Sequence, residues 1–93
     1  MKLLAYTVYD EKAETFGHPF FVSTEGVALR MLQTWSNNTQ SLINQHPEDF
    51  TLYQCGYWLD NEAKFDSLAQ PKFIAKANQV TKPIDQQLKE VSS

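Results

Sequence analysis
The side chains of this sequence best suited to chemistry are aromatic rings. Rings make up 13% of its 93 residues, and Tyr9, Tyr53 and Tyr57 fall in the two segments with the strongest strand character. Set on one face of a sheet, such rings form a platform for nucleobases. Every base has a π-face to stack, and each stacked base contributes about 1 to 3 kcal/mol. Lys2, Lys12 and Lys64 lie near those segments, and Arg30 sits in a helical stretch where packing does not explain it; these four would meet phosphates. The same rings turned inward would form a core or a dimer interface, and the residues alone leave both arrangements open.

Proton-transfer and nucleophilic chemistry are poorly provided for. A nucleophile needs a base and a group that orients the base, but His18 and His46 each stand directly before a proline and no serine sits in a nucleophile elbow. Asp10, Glu11, Asp49, Asp60, Glu62 and Asp66 fall mostly in turn material, where carboxylates ordinarily cap backbone N–H groups. The three glycines, Gly17, Gly26 and Gly56, are isolated and make no phosphate-cradling loop. Cys55 is the single cysteine, so an internal disulfide is excluded. With two histidines as the other soft ligands, a structural zinc site lacks its four donors. The expectation is a protein that is not an enzyme, with no metal and no cofactor.

Charge narrows the partners. The formal net charge is -3 and the pI near 5.2, with eight Lys and Arg scattered rather than clustered. A protein that grips duplex DNA through its phosphates carries a basic excess or stripe, so strong non-specific duplex binding is not expected. The apolar start, residues 1–5, gives way to Tyr6-Thr7-Val8-Tyr9-Asp10 too early for a signal peptide. No apolar run approaches the twenty residues that cross a bilayer. A soluble, intracellular protein with no membrane partner is expected.

The elements that must position the rings follow from periodicity. Residues 3–9 read as a central strand, apolar on both sides. Asp10, Glu11 and Lys12 form a polar turn, and Phe20-Phe21-Val22 returns as a short antiparallel strand. Ser23 or Thr24 can cap a helix whose first turn holds Glu25. Val27, Ala28, Met31, Leu32 and Trp35 form its apolar stripe, and Ser36 with the residues after it ends it. Residues 41–44 add one helical turn, and His46-Pro47-Glu48-Asp49 is a tight turn. Residues 50–59 give the strongest strand signal, with Tyr53, Tyr57 and Tyr9 expected on one sheet face, and Gly56 suggests a bulge. Residues 63–68 return as its hairpin partner. Residues 73–77 fit strand or helix, and the alanines tilt them to helix. Pro83, Ile84, Leu88 and Val91 fit a final, weaker helical segment. The fold class is α+β: a small antiparallel sheet of about four strands with one amphipathic helix across it. Residues 1–80 form a single domain and 81–93 a tail or short helix.

Several of these residues occur together in a known pattern. Val8-Tyr9-Asp10 with Lys12, Phe16, Pro19-Phe20-Phe21, Thr24, Ala28 and Arg30, then His46-Pro47-Glu48-Asp49-Phe50, Leu52-Tyr53 and Gly56, resemble the small non-structural protein of gokushovirus-type microviruses. These are phages with circular single-stranded DNA genomes. The likeness covers about residues 3–68, and the blocks around Pro19 and His46 are its specific part. It implies an early protein of the host cytoplasm, not a virion component, that binds DNA or assists single-strand synthesis as replication switches from duplex copying to single strands for packaging. It brings no catalytic residues. The alternative is a dimeric module that binds the replication initiator or a host protein and never touches DNA, which the acidic balance favours.

Overall fold
The computed structural model describes residues 2–81. The segment apolar on both sides becomes β1 (Lys2–Asp10), a central strand with partners along both edges. It ends where the Asp10 carboxylate accepts the backbone N–H groups of Lys12 and Ala13 at 3.0 and 3.2 Å. The chain returns along β1 in two pieces, β2 (Thr15–Phe16) beside Tyr9 and Asp10, and β3 (Phe20–Val22) beside Leu4, Ala5 and Tyr6. The sequence reading has the second piece but not the first. Gly17, His18 and Pro19 break the strand, since proline has no N–H for the ladder. The break is tied down by the Thr7 hydroxyl, which donates to the Gly17 carbonyl at 2.7 Å.

Helix α1 (Glu25–Asn37) is capped by Thr24, whose side-chain oxygen accepts the Val27 N–H at 3.3 Å. Ala28, Leu32 and Ser36 recur at four-residue spacing and are fully buried, the stripe that faces the sheet. The sequence reading stops this helix at Ser36, yet it continues through Asn37. Ser36 and Asn37 both donate to the Gln33 carbonyl, at 3.1 and 2.9 Å, so their polar groups are satisfied within the helix instead of competing with it. Two single-turn helices follow later in the chain, so the helical part is more divided than one helix and a tail. Ser41 caps α2 (Leu42–Gln45), and a 3-10 turn (Pro47–Asp49) leads into β4 (Phe50–Leu59).

The expected hairpin forms between β4 and β5, but β5 (Lys64–Lys76) is more than twice the length of the expected return strand. Residues 73–76, tilted to helix by the alanines, are strand: Phe73 pairs with Tyr53, Ala75 with Leu52 and Lys76 with Thr51. Pairing with the strongest strand of the chain overrides a weak local propensity. Helix α3 (Ala77–Val80) begins only when that ladder ends. Pro71 is accommodated because β5 is an edge strand. The sheet order is β2-β1-β4-β5, with β3 on the same side of β1 as β2. The final helical segment expected around Pro83, with Ile84, Leu88 and Val91, lies outside the described residues.

The core lies between one sheet face and the helices. Tyr6, Val22, Phe50 and Leu52 from the sheet meet Ala28 and Leu32 of α1 and Ala77 of α3. Phe20 stacks on Tyr6 and meets Trp35 edge-on at 5.2 Å. Among the described residues no helix lies over the opposite sheet face.

Candidate functional site
The register of the sheet decides which rings reach the uncovered face. Tyr6 points into the core, so its neighbours Ala5 and Thr7, and Leu3 and Tyr9 beyond them, point the other way. Across the ladder Thr7 pairs with Tyr53, Tyr9 with Phe16 and with Thr51, Leu3 with Trp58, and Ala5 with Phe21. Tyr53 in turn pairs with Phe73, and Trp58 with Phe65. Seven rings therefore share the open face. Of the five large hydrophobic residues that are exposed among the described residues, Phe16 (47%), Phe21 (39%), Phe65 (61%) and Phe73 (52%) all stand there.

The rings form two clusters. In the first, Tyr53 is central: its ring lies 6.4 Å from Tyr9, 5.7 Å from Phe16 and 6.2 Å from Phe73, each near edge-on. In the second, Phe65 lies 4.9 Å from Trp58 and 5.7 Å from Phe21. A hollow of about 280 Å³ is lined by Leu3, Phe21, Trp58 and Phe65. Between the clusters the face carries no ring. Ala5 and Thr7 are 3% and 5% exposed, and Gly17 and Pro19 from one edge and Pro71 from the other border a hollow of about 270 Å³ above Cys55.

Tyr57 does not join Tyr9 and Tyr53, which corrects the sequence expectation. Four residues apart on a regular strand, Tyr53 and Tyr57 would share a face. The β1–β4 register slips at Cys55, which has no partner between the pairs Ala5–Gly56 and Tyr6–Gln54. One extra residue reverses parity, so Tyr57 pairs with Leu4 on the helix side, and Trp58 takes the open face. Lys2 is there too, its Nζ 4.3 Å from the centre of the Tyr57 ring, a cation–π contact. Lys64 pairs with Leu59 on that same side, and Arg30 is exposed on α1. Lys12 stands in the turn after β1 and lines a cleft with Asp10, His46, Glu48 and Asp49. The structure thus brings together Tyr9 and Tyr53 but none of the four expected cations.

Sequence reasoning missed Phe16, Phe21, Trp58, Phe65 and Phe73 as face residues, and Lys76, which pairs with Thr51 on the open side. Lys72, exposed on β5, pairs with Gln54 on the helix side. The strand character of residues 73–76 was masked by the helical reading of that run, and a register slip at Ile74, which has no partner on β4, is what brings Phe73 and Lys76 to the same face.

Two buried groups have perturbed acidity. Burial pushes the Tyr6 phenol above its usual value of 10.0, helped by the nearby charges of Glu25 and Tyr57. Its hydroxyl is buried without a hydrogen-bond partner among the described residues. Burial likewise raises the Cys55 thiol, opposed in part by a backbone hydrogen bond. The thiol donates to the Ala5 carbonyl at 3.5 Å. Among the described residues, His46, Glu48 and Asp49 bring potential metal-ligand atoms within 4.8 Å of one another. All three belong to the solvated turn before β4, where the sequence reading gives them a structural role.

Among the described residues no helix is long and apolar enough to cross a membrane. A family model described as Phage ORF5 protein matches residues 3–80. No curated protein and no solved structure matches.

Proposed function
The chain belongs to the Phage ORF5 protein family, and from that premise we propose that it is a non-enzymatic accessory protein of gokushovirus-type microviruses that binds single-stranded DNA. It acts in the host cytoplasm, outside the virion, during the switch to single-strand genome synthesis and packaging. The observation that carries the reading is the uncovered cluster of Tyr9, Phe16, Tyr53 and Phe73, four rings in contact on an open sheet face. Splayed bases stack on such a surface, whereas duplex bases are already stacked on one another and cannot reach it. Lys76, not one of the lysines expected from sequence, pairs with Thr51 on the open side and stands in register to take a phosphate.

The test is binding of a labelled oligonucleotide as single strand and as duplex to the protein and to its Tyr53→Ala and Phe16→Ala variants. Expected is a clear preference for the single strand, weakened by either substitution, with thermal melting confirming that both variants fold. Equal binding of duplex, or variants that bind as well as the parent, would overturn the reading.

A second reading has its own support. The chain carries a net charge of -3, and among the described residues register puts a single cation, Lys76, on the open face. Both favour a protein partner, such as the replication initiator or a host protein. Absence of oligonucleotide binding at every salt concentration would move the whole face to that role.

A further inference from the structure
The two ring clusters differ in chemistry, and a strip without rings, with the hollow above Cys55 in it, lies between them. The first holds both tyrosines of the open face and is the one near Lys76. The second is built from Leu3, Phe21, Trp58 and Phe65, flanked on its face by Ala5, Gly56 and Ser67, with no charged residue in register. We infer that this second patch is a self-association surface, and that its occupant is a second copy of the same chain.

Three features commit the patch to that partner. A two-fold contact sets a surface against itself, so any net charge would be set against its like; here there is none to repel. The patch also carries both halves of a complementary pair, since Phe65, at 61% the most exposed large hydrophobic residue among the described residues, stands beside the hollow of about 280 Å³ that it helps to line. A two-fold axis lets each copy's Phe65 cover the other's hollow. The area sets the strength: at about 200 Å² per ring, Phe21 at 39% and Phe65 at 61% expose roughly 200 Å², and half-buried Trp58 and Leu3 add to it. That is well below the roughly 800 Å² per partner of a standard stable interface, so the contact is weak and needs a high local concentration. Copies bound to two segments of one DNA strand that folds back on itself have that concentration, and the two segments run antiparallel as a two-fold contact requires. This last step rests on the single-strand reading; the self-association does not.

Sedimentation of the free protein from low micromolar to near-millimolar concentration tests the inference. The weight-average mass is expected to rise from that of one copy, 10.7 kDa, towards twice that value. Phe65→Glu and, separately, Phe21→Glu should hold it at one copy, with unchanged melting because both side chains are exposed. Tyr53→Ala should still associate. A single copy throughout in the parent, or association that survives both glutamates, overturns the proposal. On a long oligo-dT the parent should bind cooperatively and Phe65→Glu without cooperativity, while both bind equally to an oligonucleotide covering one copy. Loss of all DNA binding with association intact would remove the single-strand reading and leave the dimer surface standing.

Discussion

The salt dependence of single-strand binding can be worked from the geometry. For single strands the slope of log affinity against log salt is about -0.7 per phosphate neutralised. Register leaves Lys76, alone among the described residues, beside the Tyr53 cluster, because Lys72 pairs with Gln54 on the helix side and Lys2, Lys64 and Arg30 also stand away from the open face. One contact gives a slope of about -0.7, so affinity should fall about 2.6-fold between about 50 and 200 mM salt. A protein gripping six phosphates would lose several hundredfold over the same range by the same arithmetic. The stacking contribution behaves differently. Tyr53 touches all three other rings of its cluster, and Tyr53→Ala should cost about 1 to 3 kcal/mol, a loss of about five- to 150-fold that changes little with salt. Fluorescence anisotropy with labelled oligo-dT, titrated at four salt concentrations for parent and variant, measures both quantities. Two parallel lines of shallow slope are expected. A slope several times steeper would refute the reasoning, since phosphates would then be held by lysines and arginine that the fold sets elsewhere. Lines that coincide would refute it from the other side.

Other consequences concern the scaffold. Gly56→Ala would put a Cβ 2.5 Å from the Asp66 carbonyl oxygen and 3.0 Å from the Ser67 Cα; both are backbone, so β4 and β5 must separate, and urea unfolding should report a loss of about 2 to 3 kcal/mol. Tyr6→Phe removes a buried hydroxyl that has no partner among the described residues and should leave stability equal or raise it by about 1 kcal/mol. The same phenol gives a pH signature. Its folded-state pKa is raised above 10.0, so its contribution is fully present below pH 10 and is lost as pH climbs through the folded value; melting temperatures should fall more steeply above pH 10 in the parent than in Tyr6→Phe. Ala63 closes the β4–β5 hairpin at a φ of 53°, a region in which a Cβ is strained, and Ala63→Gly should stabilise by about 0.5 to 1 kcal/mol in the same urea assay.

Much of this fold was legible because local signals and packing agreed. Phe20-Phe21-Val22 meeting a Thr24 cap gives strand and helix within a few residues, and both stand where periodicity puts them. The turn before β4 follows from Pro47, and the Ser41 cap from residue type. What was hidden depends on partners distant in sequence. The strand character of residues 73–76 exists only because Leu52 and Tyr53 are there to pair with them. β2 is two residues long, too short for any pattern, and forms because Asp10 turns the chain and Tyr9 offers Phe16 a ring at 4.6 Å. The site was legible to the extent that aromatic surplus pointed to rings. Which rings was not, because parity along β4 depends on one unpaired residue.

That residue carries more of the function than its chemistry suggests. With Cys55 in the ladder and no slip, alternation would keep Tyr57 on the open face beside Tyr53, making one tyrosine-rich strip, and would send Trp58 towards the helices. With the slip, Tyr57 goes under Lys2 and Trp58 comes out beside Phe21 and Phe65. On β5, residues 68–71 have no partners on β4 and stand against the same gap, so both strands bend there, and Pro71 comes to border the hollow over Cys55. One irregularity thus divides a single aromatic face into a tyrosine cluster with Lys76 at its edge and a Phe–Trp cluster with no charged residue in register among the described residues. The two proposed roles, stacking a polyanion and meeting a second copy, would need different electrostatics, and on a sheet this small a break in the ladder is what separates the two clusters.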